Sequence, residues 1–173
     1  VYTSLVPTQL RRGLDDEQLR VALARLDAVL IGGAAADAQL LAQAKAAGIK
    51  VVTTYGMSET CGGCVYDGQP LPGVSMDVDQ ATGAIWLSGP MLATGYLGDE
   101  ERTRRCFVSR PQAGEPARRW FITSDRGHIV DGRLQVLGRL DDVIISGGIK
   151  VEPGPIEALL ALNPLVSECA VVG

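Results

Sequence analysis

An aromatic ring, a glycine, two hydroxyls and a carboxylate share the six residues Tyr55-Gly56-Met57-Ser58-Glu59-Thr60. Each suits one part of a nucleotide. The ring can stack on a base, the glycine lets backbone approach a ligand, and a hydroxyl can bond a phosphate. The carboxylate is a hard-oxygen ligand of the kind Mg²⁺ takes. The segment follows the β-rich run Ile49-Lys50-Val51-Val52-Thr53-Thr54, which is predicted to be a parallel strand. That places it at the carboxyl edge of an α/β sheet, where ligands bind. Taken alone, the six residues describe equally well a strand-end turn with a satisfied acid.

A second chemical signal, Cys61-Gly62-Gly63-Cys64, invites a metal or redox reading. A structural zinc needs two more soft ligands, and Cys106, His128 and Cys169 show no paired spacing. A redox pair needs a thioredoxin-like setting, which is lacking. These are read as small residues that follow the nucleotide loop. His128, the single histidine, is read as a polar strand residue rather than a base.

The elements that must position these groups change style along the chain. Tyr2-Thr3-Ser4-Leu5-Val6 reads as a strand stopped by Pro7. Asp15 or Asp16 can cap a helix carrying Leu19, Leu23 and Leu26, with Arg20 and Arg25 outside. Ala28 to Ile31 reads as a buried strand closed by Gly32-Gly33. Asp37 is expected to cap a helix with Leu40, Leu41 and Ala44 that ends at Gly48. Strand, helix, strand in this order predicts parallel pairing by crossover.

From Gly68 the runs Ser75–Val78, Ala84–Leu87 and Arg133–Val136 are short and β-rich. They are separated by the turn signals Pro72-Gly73, Thr82-Gly83 and Asp131-Gly132. Pro111 to Pro116 reads as a mobile loop. Beyond Asp141, Val143–Ser146 and Ile149–Val151 predict a hairpin turning at Gly147-Gly148. Pro155–Leu160 then predicts a helix start, and Cys169–Val172 a strand. The fold class is α/β: a partial parallel-sheet subdomain over 1–67, a β-subdomain over 68–140, and a hinge with the start of a small α+β domain over 141–173. No internal repeat or low-complexity segment is present.

Composition narrows the function. The 173 residues suffice for an ordinary core, and 46% hydrophobic with 21% charged residues describes a globular chain. A net charge of -4 argues against nucleic acid, which needs a basic footprint. The clustered Arg104, Arg105, Arg118 and Arg119 stand in loop-like sequence and are read as a solvated face. No apolar run is long enough to span a bilayer, and no leader of secretory type is present. Four cysteines without scaffold density fit a reducing cytoplasm. Val1 and the apolar ending Ala170-Val171-Val172-Gly173 are read as cut ends of a longer chain.

Three later segments follow the first in order. They are Gly89-Pro90-Met91-Leu92-Ala93-Thr94-Gly95-Tyr96, Trp120 through Gly127, and Gly138 through Gly148. The ordered series, from Leu30 onward, resembles the adenylate-forming family of acyl- and aryl-CoA synthetases, adenylation domains and luciferases. The resemblance implies that Gly32-Gly33-Ala34 lie beside the adenine and acyl group, that Tyr55 packs on adenine, and that Gly56 belongs to the same nucleotide-binding set. It implies that Ser58 meets the α-phosphate and that Glu59 holds Mg²⁺; Ser58 stands where threonine is commoner. Asp125 and Arg139 would share the ribose hydroxyls, with Ser124 where glycine is common. Asp141 would be the hinge of a rotating C-terminal domain, and Gly147-Gly148 would flank the pantetheine path. Other readings stay open: Asp125 as a turn cap, Arg139 in a weak surface ion pair, Asp141 and Asp142 in a solvated turn.

The implied activity is ATP-dependent, AMP-forming ligation of a small carboxylic acid to CoA, with Mg²⁺. Compact loops and the opening Tyr2 through Leu10 are similar to the o-succinylbenzoate–CoA ligases of menaquinone synthesis, in which that opening corresponds to a helical stretch at the acyl pocket. A generic fatty or aryl acyl-CoA ligase, or a non-catalytic nucleotide-binding module, is the alternative. The family's phosphate loop and its catalytic lysine find no match here, since Lys45, Lys50 and Lys150 are the only lysines. The piece alone is therefore expected to form no acyl-CoA.

Overall fold

The computed structural model describes residues 1–112, 115–160, 162–163, 165–166 and 169–173. The chain opens with strand β1 (Tyr2–Leu5), helices α1 (Pro7–Asp15) and α2 (Glu17–Ala24), and strand β2 (Ala28–Ile31). Helix α3 (Ala38–Ala46) and strand β3 (Val51–Met57) follow. The opening therefore divides. Tyr2–Leu5 is strand as its β-rich residues predict, and the helical stretch implied by the resemblance starts at Pro7. Proline suits that position, because the first turn of a helix has no partner for its N–H.

Local chemistry sets the helix ends. The Asp16 side chain accepts from the Leu19 amide at 3.0 Å, and that of Asp37 from the Leu40 amide at 2.6 Å. Of the two candidate caps for α2, Asp16 is the one used. Gly48 ends the third helix with φ +78°. Leu19 departs from its predicted stripe: it is 51% exposed, while Leu23 and Leu26 pack on the core. That core unites Leu10 and Leu40 with Val29, Ile31 and Val51.

β1, β2 and β3 pair in parallel. β3 then does something its sequence does not announce. A short 3-10 turn (Ser58–Thr60) reverses the chain into β4 (Gly62–Tyr66), which pairs back along β3 antiparallel and is followed by β5 (Gln69–Pro70). β3 thus begins at Val51 rather than Ile49 and runs through Met57, so Tyr55 and Gly56 are strand residues. The β3–β4 ladder slips between Tyr55/Val65 and Gly56/Gly63, leaving Cys64 as a bulge residue. Cys64 is buried there, and burial pushes its thiol pKa up.

A second sheet holds β6 (Ser75–Val78), β7 (Ala84–Ser88), β8 (Phe107–Gln112), β9 (Glu115–Val130) and β10 (Arg133–Arg139), with α4 (Glu100–Cys106) leading into β8. Its order is β10-β9-β7-β6, with β8 also on β9. Two expectations change here. Pro111 and Gln112 end β8, and Glu115 and Pro116 begin β9, so both ends of the predicted loop are strand; Ala113 and Gly114 lie outside the described residues. The four clustered arginines are not in loops. Arg104 and Arg105 form the exposed last turn of α4, whereas Arg118 and Arg119 sit half-buried on β9. Arg118 donates to Ser75 Oγ. Arg119 donates to the carbonyls of Ala93 and Thr94 at 2.7 and 2.8 Å and lies over the Phe107 ring. His128 is an exposed β9 residue bonded to Gln135, 2.8 Å away. A second core of Cys64, Val65, Ile85, Leu87 and Leu134 fills the space between the two sheets, and Tyr55 packs against it.

The last part is the expected hairpin, β11 (Ile144–Ser146) with β12 (Ile149–Val151), then α5 (Pro153–Leu160). The helix starts two residues before Pro155. Residues 169–173 form no strand; instead the Val171 amide donates to Glu157 Oε1 at 2.8 Å. No helix among the described residues is long and apolar enough to cross a membrane.

The turn back of β4 depends on one close approach. A Cβ at Gly56 would lie 2.0 Å from the Gly62 carbonyl oxygen and 2.7 Å from Gly63 Cα, both backbone atoms that cannot swing away. Gly56→Ala should therefore lower stability by about 1–3 kcal/mol or more, the range for forced overpacking. Urea denaturation of the two chains measures it, and equal midpoints would show that the strands separate freely.

Candidate functional site

The two sheets meet at a hydrogen bond. The Tyr55 hydroxyl donates to Asp125 Oδ2 at 2.8 Å, joining β3 to β9 across 70 residues of sequence. Burial pushes the Tyr55 phenol pKa far above its usual value, and the neighbouring Asp125 carboxylate adds to this. The hydroxyl therefore stays a donor at any physiological pH. The ring predicted to pack on a base is thus anchored at its far end by the acid predicted to take a ribose, which leaves Oδ1 of Asp125 outside that bond.

Asp125 stands where β9 is irregular on both edges. Toward β7, Ala84 pairs with Arg126 and Trp86 with Ile122, so two steps on β7 match four on β9. Toward β10, Val136 pairs with Gly127 and Gly138 with Arg126, which makes Leu137 an extra residue. Such bulges re-aim side chains and gather next to active sites. Thr123 secures this one: its hydroxyl accepts from the Asp125 amide at 3.0 Å and lies 3.2 Å from the Asp125 carbonyl. The Leu140 amide donates to the Ser124 carbonyl at 2.7 Å. Ser124 is not among the positive-φ residues, so a side chain is accommodated where the resemblance favours glycine.

Arg139 lies directly opposite Asp125 in the β9–β10 ladder. Paired residues of an antiparallel ladder present their side chains on one face, so these two candidates share a side of the sheet. The Arg139 guanidinium, however, is 3.2 Å from Asp141 Oδ2, and both side chains are more than half exposed. Asp141 sits in the turn after β10.

On the other side of Tyr55, the 3-10 turn presents Ser58, exposed, and Glu59, half-buried. The turn is closed by Thr60, whose hydroxyl accepts from the Met57 amide at 2.9 Å and donates to the Gly62 carbonyl at 2.8 Å. Glu59 is held from two directions. Its carbonyl accepts from the Ala93 amide at 2.9 Å, and its Oε1 accepts from the Tyr96 hydroxyl at 2.8 Å. Burial and this bond push the Tyr96 phenol up to about 12, and the Arg102 guanidinium sits 4.0 Å above its ring. No group of three or more His, Cys, Asp or Glu that could hold a metal exists among the described residues. A single carboxylate with one oxygen to spare does fit Mg²⁺, which keeps most of its waters and binds through one or two carboxylates and substrate phosphates.

Gly32, Gly33 and Ala34 follow β2, beside β3. Gly32 is dictated by packing, since a Cβ would lie 2.2 Å from Thr54 Oγ1. Gly33 turns the chain with φ +78°, and Ala34 is exposed. Gly147 and Gly148 stand elsewhere, at the tip of the β11–β12 hairpin, with φ of +58° and +81°. Consecutive positive φ values are those of a tight hairpin turn, and this alone accounts for glycine there.

The structure thus links Gly32, Tyr55, Gly56, Asp125 and Arg139 through neighbouring strands, with Ser58 and Glu59 on the adjoining turn. Residue types assign no role in the site to Thr123 or Tyr96, and they read Arg119 as solvated. Tyr96 closes the Gly89–Tyr96 segment and Thr123 precedes Asp125 by two residues, so both lie inside the ordered motifs of the sequence. Their bonds depend on register and bulges that residue types do not reveal.

Comparison with known proteins bears on this arrangement. Residues 2–97 match the family described as AMP-binding enzyme. A protein of Mycobacterium tuberculosis named probable 2-succinylbenzoate–CoA ligase is 50% identical over 175 residues, which cover 99% of this chain and 43% of that protein. The 2-succinylbenzoate–CoA ligase of Escherichia coli is 34% identical, over 99% of this chain and 36% of its own length. Among solved structures, o-succinylbenzoate coenzyme A synthetase from Bacillus subtilis in complex with ATP and magnesium ion superposes with TM-score 0.80 at 27% identity, covering all of this chain and 38% of that one. This chain accordingly spans less than half the length of these relatives. With its first sheet and the Gly89–Tyr96 segment inside the family match, and half its residues shared with the mycobacterial protein, this chain belongs to the family of AMP-binding enzymes.

Proposed function

We propose that this chain is part of an ATP-dependent, AMP-forming acid–thiol ligase acting on o-succinylbenzoate. In our reading residues 1–67 and 68–140 are two subdomains that frame the nucleotide, and 141–173 is the hinge and start of a moving domain. The observation that carries the reading is the Tyr55–Asp125 hydrogen bond with Arg139 opposite Asp125. It joins three candidate nucleotide residues from distant segments on one edge. The relatives' names and the Bacillus complex with ATP and magnesium support it.

The chemistry explains the residue types. A carboxylate oxygen of the acid attacks the α-phosphorus of ATP, and the bond to the β-phosphate oxygen breaks, releasing pyrophosphate. The CoA thiol then attacks the acyl carbonyl, loses its proton and displaces AMP. Both reactants of the first step are anionic, so developing charge must be met by fixed donors. Glu59, oriented by Tyr96, would hold Mg²⁺, which offsets phosphate charge when bound. Ser58 would donate to the α-phosphate. Asp125 Oδ1 and Arg139 would bond the ribose hydroxyls. Gly32, Gly33, Ala34 and Gly56 would form the floor under the base and acyl group, and Gly147-Gly148 would pass beside pantetheine. The substrates are small molecules, and the proposed place of work is the cytoplasm.

The reading is tested by offering the full-length protein that carries this segment a panel of carboxylic acids with ATP and CoA. o-Succinylbenzoate should give the highest kcat/KM for thioester. Preference for a fatty or simple aryl acid would reject the substrate, and no turnover of any acid would reject the ligase.

In the same protein, Glu59→Ala should slow adenylation about 100-fold or more, the scale of losing one preorganised electrostatic contact. Acid-dependent pyrophosphate release measures it; near-normal rates at ordinary Mg²⁺ would remove Glu59 from the metal.

Asp141→Pro fixes φ at the proposed hinge and removes its N–H. It should slow thioester formation more than adenylation. Asp141→Ala, which also frees Arg139 but leaves the torsion mobile, should not show this inequality. Separate assays of the half-reactions decide, and equal losses in the folded proline variant would exclude a hinge at Asp141.

A further inference from the structure

Arg126 follows Asp125 in the β9 bulge, yet its side chain leaves the candidate nucleotide edge. Its stem crosses Gly83, where an added Cβ would lie 2.7 Å from Arg126 Cγ. That glycine has φ +76°, so the turn after Asp79 is shaped to let the stem pass. Beyond it the guanidinium meets Glu152 Oε1 at 2.5 Å, with side-chain exposures of 30% and 36%. Glu152 sits between β12 and α5, immediately before Pro153.

The position of this pair in the chain matters more than its strength. Arg126 precedes Asp141 and Glu152 follows it, so any rotation about Asp141 must part the two charges. Backbone packing lies at the same junction: a Cβ at Gly154 would be 2.9 Å from the Leu137 carbonyl oxygen, which belongs to the bulge of β10. The first turn of α5 is thus seated on the same irregularity that aims Asp125, and the ion pair spans the seam.

We propose that Arg126 and Glu152 form a latch that holds the segment after Asp141 in the arrangement seen here and must open for the segment to turn. Both are positioning residues, since neither is placed against a substrate. A half-exposed pair is weak, and that suits a latch, because a buried one would stop the movement. The effect on catalysis rests on the ligase reading above; the latch itself does not.

Two measurements test it. In hydrogen–deuterium exchange of the full-length protein that carries this segment, Glu152→Gln should speed exchange over residues 144–160 by about two- to fivefold, with β6 to β10 unchanged. Arg126→Gln should do the same, the double variant should add nothing, and the reversed pair Arg126→Glu with Glu152→Arg should restore protection. Unchanged exchange in Glu152→Gln, or additive effects in the double variant, would overturn the latch. In the full-length protein, Glu152→Gln should move the two half-reaction rates in opposite directions by about two- to fivefold, because one arrangement loses population to the other. Equal changes in both rates would overturn its part in the cycle. Absence of both half-reactions in the unmodified protein would instead reject the ligase reading, and the exchange result would still decide the latch.

Discussion

Everything in this chain hangs on β3 being paired differently along its two edges. One edge bonds in parallel to β2 and makes β3 part of an α/β layer; the other bonds antiparallel to β4 and makes it the start of a β layer. The side chains follow the same division. Val51 enters the core beneath the helices, while Tyr55 packs on the core between the sheets. A strand with two such partners must reverse direction within a few residues. The 3-10 turn and the glycines at 56, 62 and 63 are what permit it. Ser58 and Glu59 are presented at the edge because the chain turns there.

Bulges do for the acid what the turn does for Glu59. A regular β9 would alternate its side chains evenly, and its pairing would stay in step with β7 and β10. The extra residues around 123–125 and at Leu137 break that step on both edges at one level. Ladder bonds are given up there, and Thr123 and the Leu140 amide replace part of what is lost. The same level also seats α5, so the candidate binding edge and the junction with α5 share one irregularity.

Much of this was legible in residue types. Asp16 and Asp37 announce their helices because a short acidic side chain is the best acceptor for an open first turn. The strands β6, β7 and β11 were visible in β-rich runs between turn residues. What stayed hidden was pairing. Nothing local in Val51–Met57 says that β4 will return along it, so Tyr55 and Gly56 looked like loop. Arg118 and Arg119 looked solvated because charge suggests exposure, yet stems of arginine can lie along a sheet while the guanidinium finds carbonyls. Among the candidate residues, the order of motifs pointed to Tyr55, Asp125 and Arg139 together. The hydroxyl of Tyr96 on Glu59 needed the fold.

Arg119 sets a spacing that the sequence must respect. Its planar fork spans two successive carbonyls, at Ala93 and Thr94, a fit that the single ammonium of lysine does not reproduce. By gripping that loop, β9 fixes where Tyr96 stands and so where the Glu59 carboxylate points. Six residues later, the same strand delivers Asp125. The positions of Glu59 and Asp125 are therefore gauged by one length of backbone, about 20 Å at the rise of an extended strand. Length matters along this stretch as well as identity: a single residue inserted or deleted between Arg119 and Asp125 would swing every following side chain to the opposite face.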